Sequence, residues 1–224
     1  MKMILDRLKR IIRRRYTISF SKSGDDIQLM KLINSNIPGT YVDIGCWHPI
    51  KASNTYFFHL RKWKGICIDP NPELKSLYEK FRPADNFINA GIGNPNTTLD
   101  YYMLEESSMN TFSYEFIKKY NLESKVLKRI KIPMYSLKEI LDQNLNENDR
   151  LDFFDVDAEG YDLEILKTND WSKYRPKIIV VESDDTLKND IVSEIVHYLE
   201  TQNYRLLGKS IINGNLGNLF LVSN

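Results

Sequence analysis

Apolar and polar positions recur along this chain in two periods, and the switches between them mark out its elements. Ile4, Leu5, Leu8, Ile11 and Ile12 return at helical spacing, predicting an amphipathic helix within residues 1–15. A second helix is expected over Asp25–Ile33, with Ser23 or Asp25 near its cap and Pro38-Gly39 in the turn after it. Short apolar runs then alternate with helical stretches: strand Thr40–Gly45, helix Asn54–Leu60, strand Gly65–Asp69, helix Pro72–Phe81 and strand Phe87–Ile92. The middle is less regular. Leu99–Leu104 and Ile130–Met134 read as extended, Glu105–Thr111 as a polar loop, and Tyr114–Tyr120 and Leu137–Leu141 as helical. Alternation resumes with strand Leu151–Val156, a helix from Tyr161, strand Lys177–Glu182 and a long helix over Asp190–Thr201. Two strands, Tyr204–Leu207 and Leu219–Val222, close the chain around a Gly/Asn loop.

Near-continuous apolar strands imply a parallel sheet covered on both faces. The predicted fold class is therefore α/β: a doubly wound, mostly parallel sheet with a terminal antiparallel strand, preceded by N-terminal helices. Residues 1–38 read as a helical extension, and 39–224 as one domain with an irregular insertion near 99–135. A length of 224 residues suits this division.

Composition changes the picture little, but charge placement does. The net charge is +1, yet residues 1–15 carry seven basic side chains against Asp6, a local +6, so the remainder stands at −5. A short basic amphipathic helix of this kind docks on an anionic membrane surface, or packs its stripe on its own domain or on a second subunit as a homodimer. An acidic remainder speaks against nucleic acid. No apolar run reaches the roughly 20 residues of a membrane span, and the N-terminus lacks a secretory h-region. Cys46 and Cys67 are too few for a disulfide framework and read as reduced, in a cytoplasmic protein.

Candidate chemistry gathers at the carboxyl ends of the predicted strands, where open α/β sheets bind ligands. The first strand ends Asp43-Ile44-Gly45, and Gly45 lets backbone approach a ligand closely. Asp69 closes the second strand, placed to accept hydrogen bonds from two ribose hydroxyls. A dinucleotide would share that acid, but its pyrophosphate needs a glycine-rich turn. Here Gly45 leads into Cys46-Trp47-His48-Pro49, with no further glycine until Gly65. That turn suits a ligand with an amino-acid end and no phosphate, S-adenosylmethionine (SAM), and counts against the alternative of a nicotinamide oxidoreductase.

Several linked segments also resemble the FkbM family of methyltransferases. They are Val42–Pro49, Ser53–Tyr56, Trp63–Pro72, Leu151–Gly160 and Tyr174–Glu182, spanning roughly residues 40–182. The resemblance implies a class I, Rossmann-like methyltransferase fold and O-methylation, often of sugars in bacterial polysaccharide or natural-product pathways. By it, Asp43 and Gly45 line the methionine end of SAM, Asp69 the ribose, and Asn89-Ala90-Gly91-Ile92 the adenine. The full expected cofactor set is Asp43, Gly45, Cys46, Asn54, Thr55, Asp69, Asn71, Ala90, Gly91, Ile92 and Asp155.

Positive charge leaves the sulfur as the methyl group transfers, so a carboxylate nearby serves best as a base or as a holder of the acceptor. Asp155, Asp157 and Glu159 alternate past the fourth strand and point to one side if that strand continues. Asp157 is the leading catalytic candidate, with Glu159 beside it. His48 is the other, its ordinary pKa suiting a proton acceptor. Asp157 with Asp184 or Asp185 offers oxygen ligands for a divalent metal, against the alternative that Asp184-Asp185 caps the next helix. Aromatics and hydroxyls of the middle segment, Tyr101, Tyr102, Phe112, Tyr114 and Phe116 with Ser107, Ser108, Asn110 and Thr111, suit an acceptor sugar. A non-catalytic SAM-binding partner subunit is the remaining alternative.

Overall fold

The computed structural model describes residues 17–35, 37–146 and 149–224. The expected helix within residues 1–15, and any lipid or subunit contact through it, lies outside the described residues.

Seven strands form the central sheet: β1 (Thr40–Ile44), β2 (Lys64–Ile68), β3 (Asn86–Ile88), β7 (Leu151–Val156), β8 (Ile178–Ser183), β9 (Tyr204–Asn213) and β10 (Leu216–Ser223). Their order is β3-β2-β1-β7-β8-β10-β9. The pairs from β3 to β8 are parallel, while β10 runs antiparallel to both β8 and β9. Successive side chains on a strand face opposite ways, and both faces are covered. Val42, Ile44, Phe154, Val156, Ile179 and Val181 enter one buried cluster. Tyr41, Phe153, Ile178 and Val180, interleaved with them, enter the other. That double burial explains why these strands read as unbroken apolar runs. This is the doubly wound, mostly parallel α/β sheet with an antiparallel end that the apolar pattern predicts.

The helices follow their sequence signals closely. Helix α1 is Asp25–Ile33, α2 Tyr56–His59, α3 Lys75–Phe81, α4 Tyr114–Lys119, α5 Leu137–Asn144 and α6 Asp162–Lys167. Ser136 and Glu139 close a reciprocal capping box at the start of α5. No described helix is long and apolar enough to cross a membrane.

Four expectations need correction. The strand expected over Phe87–Ile92 splits: β3 pairs with β2, but β4 (Gly91–Ile92) pairs with β6 (Val126–Tyr135) in a second sheet. Asn89 makes the corner, its side-chain amide donating to the Asp69 carbonyl at 2.8 Å. The insertion near 99–135 is more ordered than expected, because β5 (Thr98–Leu104) and β6 form a long antiparallel hairpin. The helix expected over Asp190–Thr201 is two helices, α7 (Leu187–Asp190) and α8 (Glu194–Thr201). Thr186 and Ser193 accept from backbone N–H groups three residues on, so each starts its own helix. The terminal strands are also longer than expected and meet at Gly214-Asn215.

Candidate functional site

Strand order reverses at β1, which lies between β2 and β7, and the candidate site opens above these three carboxyl ends. Beyond β1 the backbone turns sharply. Gly45 has φ +76° and Trp47 φ +39°. A Cβ on Gly45 would stand 1.8 Å from the Asp157 carbonyl oxygen, so only glycine lets the turn after β1 meet the loop after β7. The Asp157 N–H donates to the Ile44 carbonyl at 2.9 Å, locking the two together.

Asp43, Asp69 and Asp155 are buried and supplied with donors. Asp69 Oδ2 accepts from the Trp47 N–H at 3.0 Å and Oδ1 from the Asn71 N–H at 2.8 Å. Burial pushes its pKa up to about 6 against the pull of those donors. Thr55 donates its hydroxyl to Asp43, and Asn54 donates to Asp155 at 3.1 Å. Burial raises Asp43 to about 6, opposed by Arg82 and Thr55. Burial and the Asp43 charge together raise Asp155 well above the ordinary carboxylate range.

Three spaces meet here. A narrow inner cleft is bounded by Gly45, Trp47 and Asp69, by apolar Ala90, Ile92 and Ile165, and by Tyr101, Asn110 and Phe112 from the insertion. Beside it lies a polar recess holding Asp43, Cys46, Asn54, Asp155 and Asp157, faced by Lys22 and Lys51. A wide outer cleft of about 890 Å³ runs past Phe116, Tyr120, Glu182 and Lys22. Ser108 and Glu159 border all three. The insertion is fastened over the junction by two hydrogen bonds: Trp47 Nε1 to Ser107 at 3.0 Å, and Thr111 Oγ1 to the Glu159 carbonyl at 2.8 Å.

Asp157, Glu159 and Glu182 converge, with one carboxylate oxygen from each within 4.8 Å of the others. They do so by a route the sequence does not show. Strand β7 stops at Val156, and the chain bends through Glu159 and Gly160 at φ +50° and +84°. Crowded and largely desolvated, the three cannot all be ionised at neutral pH. Burial comes first in each case, raising Asp157 to about 7, Glu182 to about 8 and Glu159 to about 10. Asp157 is the readiest to ionise, and its Oδ1 is buried with no hydrogen-bond partner among the described residues.

Several expected residues are placed elsewhere. His48 borders none of the three spaces. Its Nδ1 accepts from the Ile50 and Lys51 N–H groups at 3.1 Å, which makes it a turn cap, and burial together with Lys51 lowers its pKa. Thr55 is wholly buried and reaches Asp43, not the clefts. Asn71 caps the turn at Pro72–Leu74. Gly91 lies against Met134 and Ile132 beneath the cleft floor. Asp184 pairs with Lys119 at 2.5 Å, and Asp185 accepts from Thr186 and Asn189 at the start of α7, so neither joins the acid cluster. The oxygen set a divalent cation would meet is Asp157, Glu159 and Glu182. Sequence reasoning overlooked Glu182, Lys22 and Arg82. An acid ending the apolar run Ile178–Val181 was the available signal for Glu182; Lys22 and Arg82 had none, lying outside the strand-end pattern.

The donor set fits SAM. Asp69 retains lone pairs for ribose hydroxyls, the apolar inner cleft suits an adenine, and the acids of the recess complement an ammonium and a sulfonium. Those same acids would repel a pyrophosphate.

A family model described as the methyltransferase FkbM domain matches residues 39–206. No curated protein matches the chain. Among solved structures, it is similar to a precorrin-6y C5,15-methyltransferase from Geobacter metallireducens GS-15, at 13% identity and TM-score 0.49, covering 88% of this chain and 86% of that one. It is also similar to a TehB-like SAM-dependent methyltransferase from Corynebacterium glutamicum, at 8% identity and TM-score 0.45, covering 100% and 97%. An O-methyltransferase from Bacillus cereus in complex with SAH matches at 10% identity and TM-score 0.44, covering 100% and 89%.

Proposed function

Since this chain belongs to the FkbM methyltransferase family and is a SAM-dependent methyltransferase, we propose that it methylates a hydroxyl of a sugar, sugar nucleotide or glycan. The observation that carries this reading is the junction at Ser108 and Glu159, where the inner cleft, the acid recess and the wide outer cleft meet. When bound, the cofactor supplies an electrophilic methyl group on a sulfonium. Asp69 would accept from its ribose, Ala90 and Ile92 would flank its adenine, and Asp43 with Asp155 would hold its ammonium. The acceptor enters by the outer cleft, where Phe116 and Tyr120, with ring centroids 4.7 Å apart, give a sugar an apolar face to rest on. With the cofactor so held, Asp157 would take up the proton of an acceptor hydroxyl brought to the junction, and the cofactor would supply the methyl group.

Polysaccharide or natural-product biosynthesis is the proposed setting. The free buried thiols of Cys46 and Cys67 support a cytoplasmic protein. Calorimetry with S-adenosylhomocysteine (SAH), followed by a radiolabelled methyl-transfer screen over sugars, sugar nucleotides and oligosaccharides, tests the reading. Transfer to a carbohydrate hydroxyl is expected. Tight SAH binding with transfer only to amines, or to none of these acceptors, would overturn it.

A further inference from the structure

Beneath the recess lies a buried cation that the proposed chemistry does not use. Arg82, just after α3, is fully buried, although arginine is almost never so placed without partners. Its partners are specific. Nε donates to Asp85 Oδ2 and Nη2 to the Tyr41 hydroxyl, both at 2.5 Å, and Nη1 donates to Thr55 Oγ1 at 3.0 Å. Thr55 Oγ1 in turn donates to Asp43. Tyr41 and His59 also reach Asp85, at 2.9 and 3.1 Å. Room for this assembly comes from Gly65, where a Cβ would stand 2.5 Å from the Tyr41 hydroxyl and 2.7 Å from Asp85. The glycine of the Trp63-Lys64-Gly65 segment thus serves a polar network under the site as well as the strand that carries it.

We propose that Arg82 is a positioning residue for cofactor binding: acting through the Thr55 hydroxyl, its guanidinium holds the Asp43 carboxylate charged and turned toward the recess. One unbroken chain of donors runs from the buried cation to the acid, and Asp43 is the only member of that chain that borders the recess. Asp85 sits on the far side of the guanidinium, which therefore stands between two carboxylates. Without it, Asp43 would face Asp85, Asp155, Asp157 and Asp69, all acidic, together with the un-ionised Cys46 and Tyr78, and would take up a proton more readily. Burial and Asp85 already raise Asp43, while Arg82 is the largest influence holding it down. The proposal rests on Asp43 as partner of the cofactor's ammonium.

SAH affinity measured calorimetrically on the full chain from pH 5 to 9 tests it, with thermal melts confirming that each variant is folded. In the unsubstituted protein, affinity falls below about pH 6 as Asp43 and Asp69 protonate. Arg82→Met and Thr55→Val should each move the Asp43 part of that fall upward by about one pH unit, lowering affinity at pH 6.5 several-fold while leaving it close to normal at pH 9. Asp69 does not meet the guanidinium and provides the internal reference. Arg82→Lys, which keeps the charge, should retain the original profile. A purely structural role would weaken binding equally at every pH, and that result would overturn the proposal. Should Arg82→Met fail to fold, Thr55→Val alone decides, because it cuts the chain without removing the buried cation. Asp43→Asn separates the two readings: unchanged affinity there would remove Asp43 from the cofactor site and the positioning role with it.

Discussion

Asp69, Asp43 and Asp157 show how little an acid's identity says about its work until its surroundings are known. Backbone N–H groups hold both oxygens of Asp69 in place, and in the proposed cofactor pose Asp69→Ala removes charge-assisted hydrogen bonds to the ribose. About ten- to hundredfold weaker SAH binding is expected by calorimetry. Asp157 brings to the clefts one oxygen that is unpartnered among the described residues, so Asp157→Asn should slow methyl transfer about 10²–10⁴-fold while SAH affinity stays within a few-fold. A base must be ionised to act. Turnover at saturating SAM should therefore rise with pH through about 7, the value to which burial raises Asp157. A flat profile across pH 6–8 would count against that base. Turnover surviving EDTA is expected as well; its loss would reassign Asp157, Glu159 and Glu182 to a divalent cation. At this scale the strand-end acids Asp43, Asp69, Asp155, Asp157 and Glu159 all border the clefts, because strand ends are legible in sequence. His48 and Thr55 border none of them, since a loop side chain can turn to cap its own backbone or reach inward.

Among the elements, legibility followed local signals. Helix α1 was readable from the cap residues near Asp25 and from Pro38-Gly39 after it, whereas the Ser136–Glu139 capping box that starts α5 emerged only in the structure. The break between α7 and α8 and the split between β3 and β4 were not readable either. A serine inside a polar-apolar pattern can sit on a helix face or start a new helix. A two-residue strand belongs to whichever sheet lies near. The turn after β1 is the most constrained element. Gly45→Ala adds a methyl 1.8 Å from the Asp157 carbonyl at a positive φ, and should destabilise the protein by about 2 kcal/mol or more in denaturant titration. SAH binding should fall with it, because the loops after β1 and β7 would be pushed apart.

For the whole molecule, the crowded acids link stability to pH. Asp43 and Asp69 near 6, Asp157 near 7 and Glu182 near 8 all lie above the ordinary carboxylate range in the folded protein. The folded state thus holds protons that the unfolded chain has released. Their contribution to stability is complete below about pH 4 and is lost as pH rises through 6 to 8. Two melts check this: Asp157→Asn should raise Tm at pH 8.5 yet leave it nearly unchanged at pH 5, and cationic SAM should stabilise the unsubstituted protein more at pH 8.5 than at pH 5. The basic residues 1–15 make a separate prediction, tested by recovery on phosphatidylserine vesicles with and without that segment. Equal recovery would exclude lipid docking.

The sequence alone determined the alternating α/β order, the strand-end acids and the absence of a phosphate-binding turn, because each is written in short-range periodicity or in a single motif. Only the tertiary structure decided which acids share protons, which loop roofs the clefts and where the buried cation sits. Those follow from approaches between residues far apart in the chain: Glu182 to Asp157, Thr111 to Glu159, and Arg82 to Thr55. No local pattern encodes such distances. They are set when a parallel sheet closes and its loops compete for the same space above the reversal at β1.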